Sequence, residues 1–389
     1  MAYISSNANR WYCAKEASYG TAPTISAANR IPAVKLSAQQ QVAKSQRKDK
    51  TGSRTWAGNP AGMRRQTTFS LTSYMRDWPA GTGLPAYGPL FEAVMGAAGA
   101  LWNGGNAAGG STTTTIRFTS PHGLTPGQAV SSGAEIRFVA AVADSMTVVL
   151  NAPFSTVPAA GTPLGPTATY ALGSELPSVS LFDYWDPVTA VQRVLTGAAM
   201  NTLSVELNGD FQDLKFGGMA QDIIDSSSFQ SGEGGLTAFP AEPALSSFSY
   251  SPVPGNLGQV WLGVLPTAFL TVSSATINLT NNINMRTNEF GSSLPRGIAP
   301  GAREVTMMLE LFGQDDEATT GLYQAARQLS PLGVMFQTGQ ASTQLMGVYV
   351  KSIVPDLPQF DDTDQRLKWK FSSSRAQGTA NDELVVAFA

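Results

Sequence analysis

The chain is short of charge, thiols and imidazoles. Asp, Glu, Lys and Arg make up 14% of its 389 residues, against roughly a quarter in an ordinary soluble domain. So small a charged share leaves little surface to keep solvated, which suits a subunit whose faces are covered by copies of itself. The one cysteine, Cys13, excludes an internal disulfide. The one histidine, His122, excludes a multi-histidine metal site and leaves a single candidate for a Ser-His-Asp triad. Long apolar runs are missing too. The most apolar stretch, residues 260–272, is too short to span a bilayer and contains Pro266. The opening residues MAYISSNANR lack the apolar core of a signal peptide. These absences predict a soluble protein made in a reducing cytoplasm, without membrane insertion, metal or cofactor.

What the chain has in plenty is Gly (38) and Pro (24), among many Ser, Thr and Asn residues, the composition of short strands joined by turns. Its charge is unevenly spread. Residues 1–65 carry a balance of +9 and the remainder −12, for the net −3. Such asymmetry points to an arm that docks on a partner of opposite sign, either nucleic acid or the acidic body of another copy.

The sequence reads as one unit used twice. PAVKLSA, a polar loop and RRQTTFSLTSY are matched later by SATINLT, a polar loop and AREVTMMLELF. Each series continues with a short helix, GPLFEAVMGAA or TGLYQAARQL. SVSLFDYW then matches GVMFQTG, VLTGAAMNTLSVEL matches QLMGVYVKSIVPDL, and DLKFGG matches RLKWKF. The last two pairs align Leu195 with Leu345, Gly197 with Gly347 and Leu214 with Leu367. Any single match is weak, but a shared order of six carries the duplication.

Local patterns agree with this reading. Val305, Met307, Leu309 and Leu311 alternate with polar residues, as do Leu203, Val205 and Leu207, the period of half-buried strands. Asn208-Gly209 supplies two φ > 0 positions for a tight hairpin. Leu90, Phe91, Val94 and Met95 share one helical face, and so do Leu322, Ala325, Ala326 and Leu329. Asp315-Asp316-Glu317 suits the start of the second helix as an N-cap.

The fold class expected is therefore all-β dominated: two tandem β-sandwich or barrel units, each with one short helix, plus a small inserted all-β module. The first unit is discontinuous, residues 1–102 and 171–235. The inserted module occupies 103–170, a linker 236–257 and the second unit 258–389. The module enters through GGNAAGGS and leaves through a Pro-rich return, the kind of junction at which insertion and deletion are tolerated. It is expected to be separable. The Ser-, Gly- and Pro-rich stretch 226–254 is expected to be loop.

No catalytic constellation emerges. Asp361, Asp362 and Asp364 read as a turn before RLKWKF, since Asp favours turns, more readily than as a metal site. His122, between Pro121 and Gly123, has no orienting acid nearby in sequence. GGNAAGGS lacks the Lys and the strand-helix context of a phosphate loop. The informative charge feature is the run Lys44, Arg47, Lys48, Lys50 and Arg54. A solvated loop, a contact with acidic residues of another copy, and DNA binding all remain open for it.

The second unit, SSATINLTNNINMRTNEFGSSLPRGIAPGAREVTMMLELFGQDDEATTGLYQAA, resembles the tail tube (major tail) proteins of long-tailed phages. The likeness lies in a strand ending in an Asn-rich turn, a long loop, a Pro-Gly-x-Arg segment, an alternating strand and a short helix. It covers the last third of the chain well and the first unit more loosely. PHGLTPGQAV in the insertion resembles small β-modules that decorate phage structural proteins. The resemblance implies a self-assembling virion protein, not an enzyme, whose strands join those of its neighbours around a lumen. Two units per chain imply a homotrimeric ring with pseudo-sixfold symmetry, stacked head to tail as a conduit for DNA ejection.

The implied partners are the chain itself, the tail terminator, tape measure and baseplate proteins, and genomic DNA sliding through without tight binding. Assembly is implied in the host bacterial cytoplasm. The loops implied to stack rings are residues 39–63 and 281–302, with Lys44, Arg47, Lys48, Lys50, Arg54, Trp56, Arg286 and Arg296 as contact candidates. A lumen lined by acids, repelling phosphates, fits the −12 balance. The alternative is another tail component built from similar units: a terminator, a baseplate hub or a carbohydrate-binding adhesin, for which FDYWDP (182–187) is the candidate aromatic cluster.

Overall fold

The computed structural model describes residues 3–44, 48–55, 58, 62–78, 83–245, 248, 251–263 and 268–389. Strands hold 45% of the chain and helices 7%, so the architecture is dominated by β-structure. In the first part of the chain the strands are β1 (Asn9–Lys15), β2 (Ala33–Val42) and β3 (Arg65–Tyr74), followed by helix α1 (Gly88–Met95). Then come β4 (Thr167–Ala171), β5 (Val179–Trp185), β6 (Arg193–Leu207), β7 (Asp213–Ala220) and β8 (Asp222–Asp225). The last part contributes β9 (Gly258–Leu262), β10 (Val272–Thr280), β11 (Glu304–Phe312) and helix α2 (Glu317–Gln328). It ends with β12 (Leu332–Thr338), β13 (Met346–Val354), β14 (Gln359–Asp361), β15 (Lys368–Ala376) and β16 (Leu384–Phe388).

All pairings are antiparallel, and the two halves repeat them. In the first, β1 pairs β5, β5 pairs β6, β6 pairs β7 and β8, β7 pairs β3, and β3 pairs β2. In the second, β9 pairs β12, β12 pairs β13, β13 pairs β15 and β16, β15 pairs β11, and β11 pairs β10. Each helix follows the alternating strand, β3 or β11.

The register corrects the sequence match: the bulge at Val179/Leu181 opposite Ala198 and Leu195 recurs at Leu332/Val334 opposite Ile353 and Val350, so Leu195 corresponds to Val350 and not to Leu345, and Gly197 to Ser352 and not to Gly347. Phe216 of β7 lies opposite Leu71, and Phe371 of β15 lies opposite Leu309, the residue matched to Leu71. Phe216 therefore corresponds to Phe371. The equivalence of Leu214 with Leu367 is two residues out: Leu214 is fully buried while Leu367 is 42% exposed. The LKF/LKW likeness is chance spacing within a strand that is apolar on alternate positions.

The halves are fused by backbone pairing. The C-terminal part of β6 pairs β10 from Thr202–Thr280 to Leu207–Ala275, giving an arc of strands in the order β2-β3-β7-β6-β10-β11-β15-β14. One apolar core runs beneath it, from Phe69 and Leu71 through Leu203 and Val205 to Ile277, Met307 and Leu309. Both helices pack into that core. In α1, Leu90, Phe91, Val94 and Met95 are fully buried. Asp316 caps α2 by accepting from the Thr319 amide at 2.6 Å. Leu329, expected on the buried face of this helix, instead forms its left-handed C-cap (φ 53°) and points to solvent. The Asn208-Gly209 turn also differs from expectation. Asn208 alone takes positive φ (69°), because five residues, not two, separate β6 from β7.

Glu16 anchors the first half. Its buried carboxylate accepts from the amides of Gly20 (2.8 Å) and Gly197 (2.7 Å) and from the hydroxyls of Ser178 and Ser180 (both 2.6 Å). Gly197 sits at φ 58° in mid-strand, where a Cβ would strike Gln221 at 2.7 Å. The carboxylate thus holds the bend that lets β6 serve two sets of neighbours.

Residues 105–165 form a separate six-stranded sheet with its own core of Ile116, Phe118, Val130, Val139, Val148 and Leu164. The flanking strand β4, which the sequence reading put mostly within the insertion, belongs to the main sheet. It pairs both with Ala100–Trp102 and with β16. The module touches the main body through more than its linkers. Ile136 and Phe138 share a core with Trp261, Met335, Val385 and Ala387 of the second half.

Arg137, fully buried, bolts this contact. It donates to Glu135 (2.7 Å), Gln337 (2.9 Å), Gln259 (3.0 Å) and the Pro153 carbonyl (2.8 Å). Its guanidinium also lies 3.9 Å from the Trp261 ring centre. Burial pushes its pKa down to about 10, with Glu135 opposing. Described residues in 226–254 form no strand, and only a short 3-10 turn at Glu233–Gly235.

Three outcomes follow for stability. Glu16→Ala strands four buried donors, each costing about 1–3 kcal/mol when unsatisfied. Urea unfolding is expected to show a loss of about 3 kcal/mol after partial relaxation; a loss below about 1 kcal/mol would mean that the cluster is incidental. Deleting residues 104–166 bares Trp261, Met335 and Val385, so soluble folded protein should be lost. Arg137→Ala should cost about 3 kcal/mol through the unpaired Glu135 and orphaned amides. Recovery of a folded deletion variant with an unchanged urea midpoint would refute the bolted contact.

Candidate assembly edges and loops

An edge strand presents unpaired backbone N–H and C=O groups, a template for another chain. The arc ends in two such edges. β2 pairs β3 on one side, from Ala33–Ser73 to Val42–Arg65, and among the described residues no strand covers its other side. At the opposite end, β13 and β14 meet β15 in one continuous register: Ile353–Ala376, Val354–Arg375, Gln359–Lys370, Phe360–Trp369 and Asp361–Lys368. The outer side of residues 354–361 is likewise unpaired by any described strand. The corresponding edges in mid-chain, β6 and β10, are joined to each other. Burial tracks this difference. Ala275, Ile277 and Leu279 of β10 are buried, whereas Leu36 and Ala38 of β2 are only half-buried.

The face of the arc opposite the core is mostly polar, with Met308 of β11 as an exposed apolar exception. It displays Thr68, Ser70 and Thr72 on β3, Thr202 and Ser204 on β6, and Thr276, Asn278 and Thr280 on β10, each alternating with a core residue. Three acids on this face have basic cross-strand neighbours, whereas Asp213 lies opposite Tyr74. Glu206 meets Lys215 at 2.6 Å, Glu304 meets Arg375 at 3.5 Å, and Glu310 lies opposite Lys370. This face thus carries mainly hydroxyls, amides and paired charges.

The two long loops emerge side by side. The amide of Arg65 donates to the Ser293 carbonyl (2.9 Å) and Arg64 to Asn288 Oδ1 (3.3 Å). Loop 281–302 is tied down. It carries a short hairpin pairing Asn284–Met285 with Ile298–Ala299, and Gln221 donates to the Pro295 carbonyl. Arg286 is paired within the loop to Glu289 (2.6 Å), and the Arg296 amide donates to the Arg286 carbonyl. In the first loop, Lys44, Lys48, Lys50 and Arg54 are all exposed. Arg47 and Trp56 lie outside the described residues.

A hollow of about 410 Å³ sits beside the start of the free edge β2. It is lined by Trp11, Ile31, Val34 and three arginines, Arg10, Arg30 and Arg76. Arg30 and Arg76 each stack on the ring of Phe248 at 4.3 Å, and Arg10 is paired with Glu242 at 2.5 Å. Burial pushes the Arg76 guanidinium below its ordinary pKa. Sequence reading missed this site because its arginines are dispersed along the chain and converge only through pairing. The surplus of positive charge in residues 1–65 was its one legible trace.

The groups considered for chemistry have structural roles. His122 Nδ1 accepts from the Leu124 amide (2.9 Å), so Nε2 carries the proton and donates to the Asp144 carbonyl (3.0 Å). Asp361 accepts from the Thr363 amide, pairs with Lys370 (2.6 Å), and is held well below the usual carboxylate range by that lysine. Asp364 pairs with Lys368 (2.5 Å). Phe182 and Tyr184 of the FDYWDP segment are buried in β5 and offer no binding platform. Burial raises the pKa of the Cys13 thiol, which suppresses its reactivity. Among the described residues there is no cluster suited to a metal ion, and no helix is long and apolar enough to cross a membrane. No protein-family model matches the chain, and no curated protein does.

Proposed function

We propose that this chain is the repeating subunit of a phage tail tube. The observation that carries the reading is the repeated pairing scheme, in which an edge-to-edge joint is made once inside the chain and left open at both ends. The open edges are of the same kind as the joined ones, so further copies can add by the same joint. An arc that curves in one direction closes into a ring. With two units per chain, three copies give the pseudo-sixfold ring expected from the family resemblance. The polar face would line the lumen. Hydroxyls, amides and already paired charges offer phosphates few free cations, so DNA slides without the counterion release that drives tight binding.

On this reading the subunit is made in the host cytoplasm and incorporated into the virion between terminator and baseplate, around the tape measure protein and later the DNA. Assignment to a carbohydrate-binding adhesin is disfavoured by the burial of Phe182 and Tyr184, the aromatic residues it would expose. Electron microscopy of the purified chain is the direct test. Rings or tubes are expected, and a monomer at every concentration and salt condition would reject the proposal.

Ring stacking is assigned to the exposed basic loop, since Arg286 of the other loop is neutralised at home. A head-to-tail contact between this loop and an acidic face propagates as a filament. Each exposed pair contributes only about 0–1 kcal/mol, but the pairs multiply around a ring, and screening at physiological salt limits their reach to about 8 Å. Changing Lys44, Arg47, Lys48 and Lys50 together to Glu should leave the fold and the rings intact and stop tube growth. High salt should slow growth of the unchanged protein. Normal tubes from the quadruple variant would remove charge from the stacking mechanism.

A further inference from the structure

The joint between β6 and β10 shows what each free edge lacks. The amide of Asn281 donates to the Asn201 carbonyl at 2.8 Å, one step beyond the Thr202–Thr280 pair. Hydrogen-bonded pairs alternate along an antiparallel ladder. Leu203, Val205 and Leu207 therefore exchange backbone bonds with Leu279, Ile277 and Ala275, and the side chains of all six reach the core.

The free edges keep this geometry. The Ala43 amide donates to the Arg64 carbonyl at 2.8 Å, in line with the Val42–Arg65 pair. Odd-numbered residues of β2 thus bond towards β3, and Leu36, Ala38 and Gln40 turn their backbone groups to the open side. Through the matched partners β3 and β11, their counterparts on β10 are Ala275, Ile277 and Leu279. At the other edge Phe360 lies opposite Trp369 as Val205 lies opposite Leu214. Phe360 is therefore the counterpart of Val205, Pro358 of Leu203 and Asp362 of Leu207. Pro358 falls on the open side, a place that a residue without an N–H can hold only on an edge.

Side chains mark the same positions. Val205, beneath β10, is 1% exposed, whereas Phe360 is 57% exposed. Phe360 packs against Trp369 (5.4 Å between ring centres) and Tyr323 of α2 (6.2 Å), an aromatic cluster open on its outer side. On β2, Leu36 and Ala38 are half-buried on the core face. The sizes are exchanged between the two joints. Inside the chain Val205 faces Ile277, and across the open joint a larger Phe360 would face a smaller Ala38.

Resting on the tube reading above, we propose that copies join in one register, Phe360 of one chain opposite Ala38 of the next, with Leu36 and Ala38 closing over the Tyr323–Phe360–Trp369 cluster. Phe360 and Asp362 each exchange two backbone bonds with Ala38 and Leu36, and Pro358 accepts one from Gln40. The proline shortens the ladder, so the aromatic anchor decides the register. A slip by one residue would turn Ala38 to the polar face. A slip by two would set Leu36 or Gln40 against Phe360, and Gln40 is already held by Asp222 at 2.6 Å. In the proposed register Gln39 and Gln359, both exposed, become a directly opposed pair without backbone bonds between them.

The test is the full chain with Gln39→Cys and Gln359→Cys, oxidised under assembly conditions and run on a denaturing gel without reductant. Such a pair has Cα atoms about 4.5 Å apart, within the span of a disulfide. Displacement by two residues separates the partners to about 7–8 Å. More than half of the chains should appear as covalent dimers or higher species, and the displaced pair, Ser37→Cys with Gln359→Cys, should stay mostly monomeric. Rings without the first crosslink, or with the second equally abundant, would overturn the register and leave the tube reading standing. Failure of the unmodified chain to form rings would reject both. A size exchange tests the anchor without oxidation. Phe360→Val should lower ring yield about tenfold with a nearly unchanged urea midpoint. Adding Ala38→Ile, which copies the Val205–Ile277 pair, should restore the yield severalfold. Normal ring yield from Phe360→Val, or a double variant no better than the single, would overturn the pairing of Ala38 with Phe360.

Discussion

The structure depends on one kind of interaction, the antiparallel backbone pairing of one unit's edge with the next. Between β6 and β10 this pairing is intramolecular, and it does two things. It satisfies a row of N–H and C=O groups that would otherwise stay open to water or to a foreign chain. It also drives Ala275, Ile277 and Leu279 fully into a core shared by both halves. Where the joint is missing, at β2, the equivalent inward side chains stay half-exposed, and Lys35 and the run Gln39-Gln40-Gln41 keep the edge soluble. On the proposed reading, an open edge held in this state would be soluble in the monomer and competent to join.

Around that joint the chain places features that keep each part rigid. Glu16 fixes the bend at Gly197 so that the first half of β6 serves β5 and β8 while its second half serves β7 and β10. The inserted module is held against the second half by Arg137 and Trp261. A guanidinium buried this deeply is costly, and it is retained because every contact around it is a hydrogen bond or an aromatic face. The module therefore acts as a brace on β12, β13 and β16 as well as an ornament.

Much of this was legible in the sequence, for a physical reason. Alternation of period two is imposed by the pleat, so β3, β6 and β11 announced themselves through Phe69-Leu71, Leu203-Val205 and Met307-Leu309. Helix α1 and the Asp316 cap were equally visible, because both are decided within a turn or two of chain. Errors arose wherever a choice was tertiary. The Leu214–Leu367 match slipped by two residues, since period two cannot tell a register from its neighbour two places on. Leu329 looked buried by periodicity and was turned out by the cap. The module looked separable because linkers are local, whereas Arg137 and its partners lie more than a hundred residues apart in sequence. Arg10, Arg30 and Arg76 form no motif, and only the fold gathers them.

Fusing two units changes the energetics of assembly. A ring of single units must form every joint from separate molecules, and each association costs translational and rotational freedom. On the tube reading proposed above, every second joint would be preformed at the effective concentration of a tether, so a ring of given size would close with half as many bimolecular steps. Fusion also removes the requirement that all positions be alike. One loop can stay basic and exposed while its counterpart is pinned by Arg286–Glu289 and the Pro295 contact. The inserted module needs to occur only once per pair. A duplicated subunit can thus separate closure of a ring, carried by backbone edges, from stacking of rings, carried by charge. The two steps then respond differently to salt. Backbone pairing and apolar contact are barely screened, whereas the exposed lysines lose most of their reach.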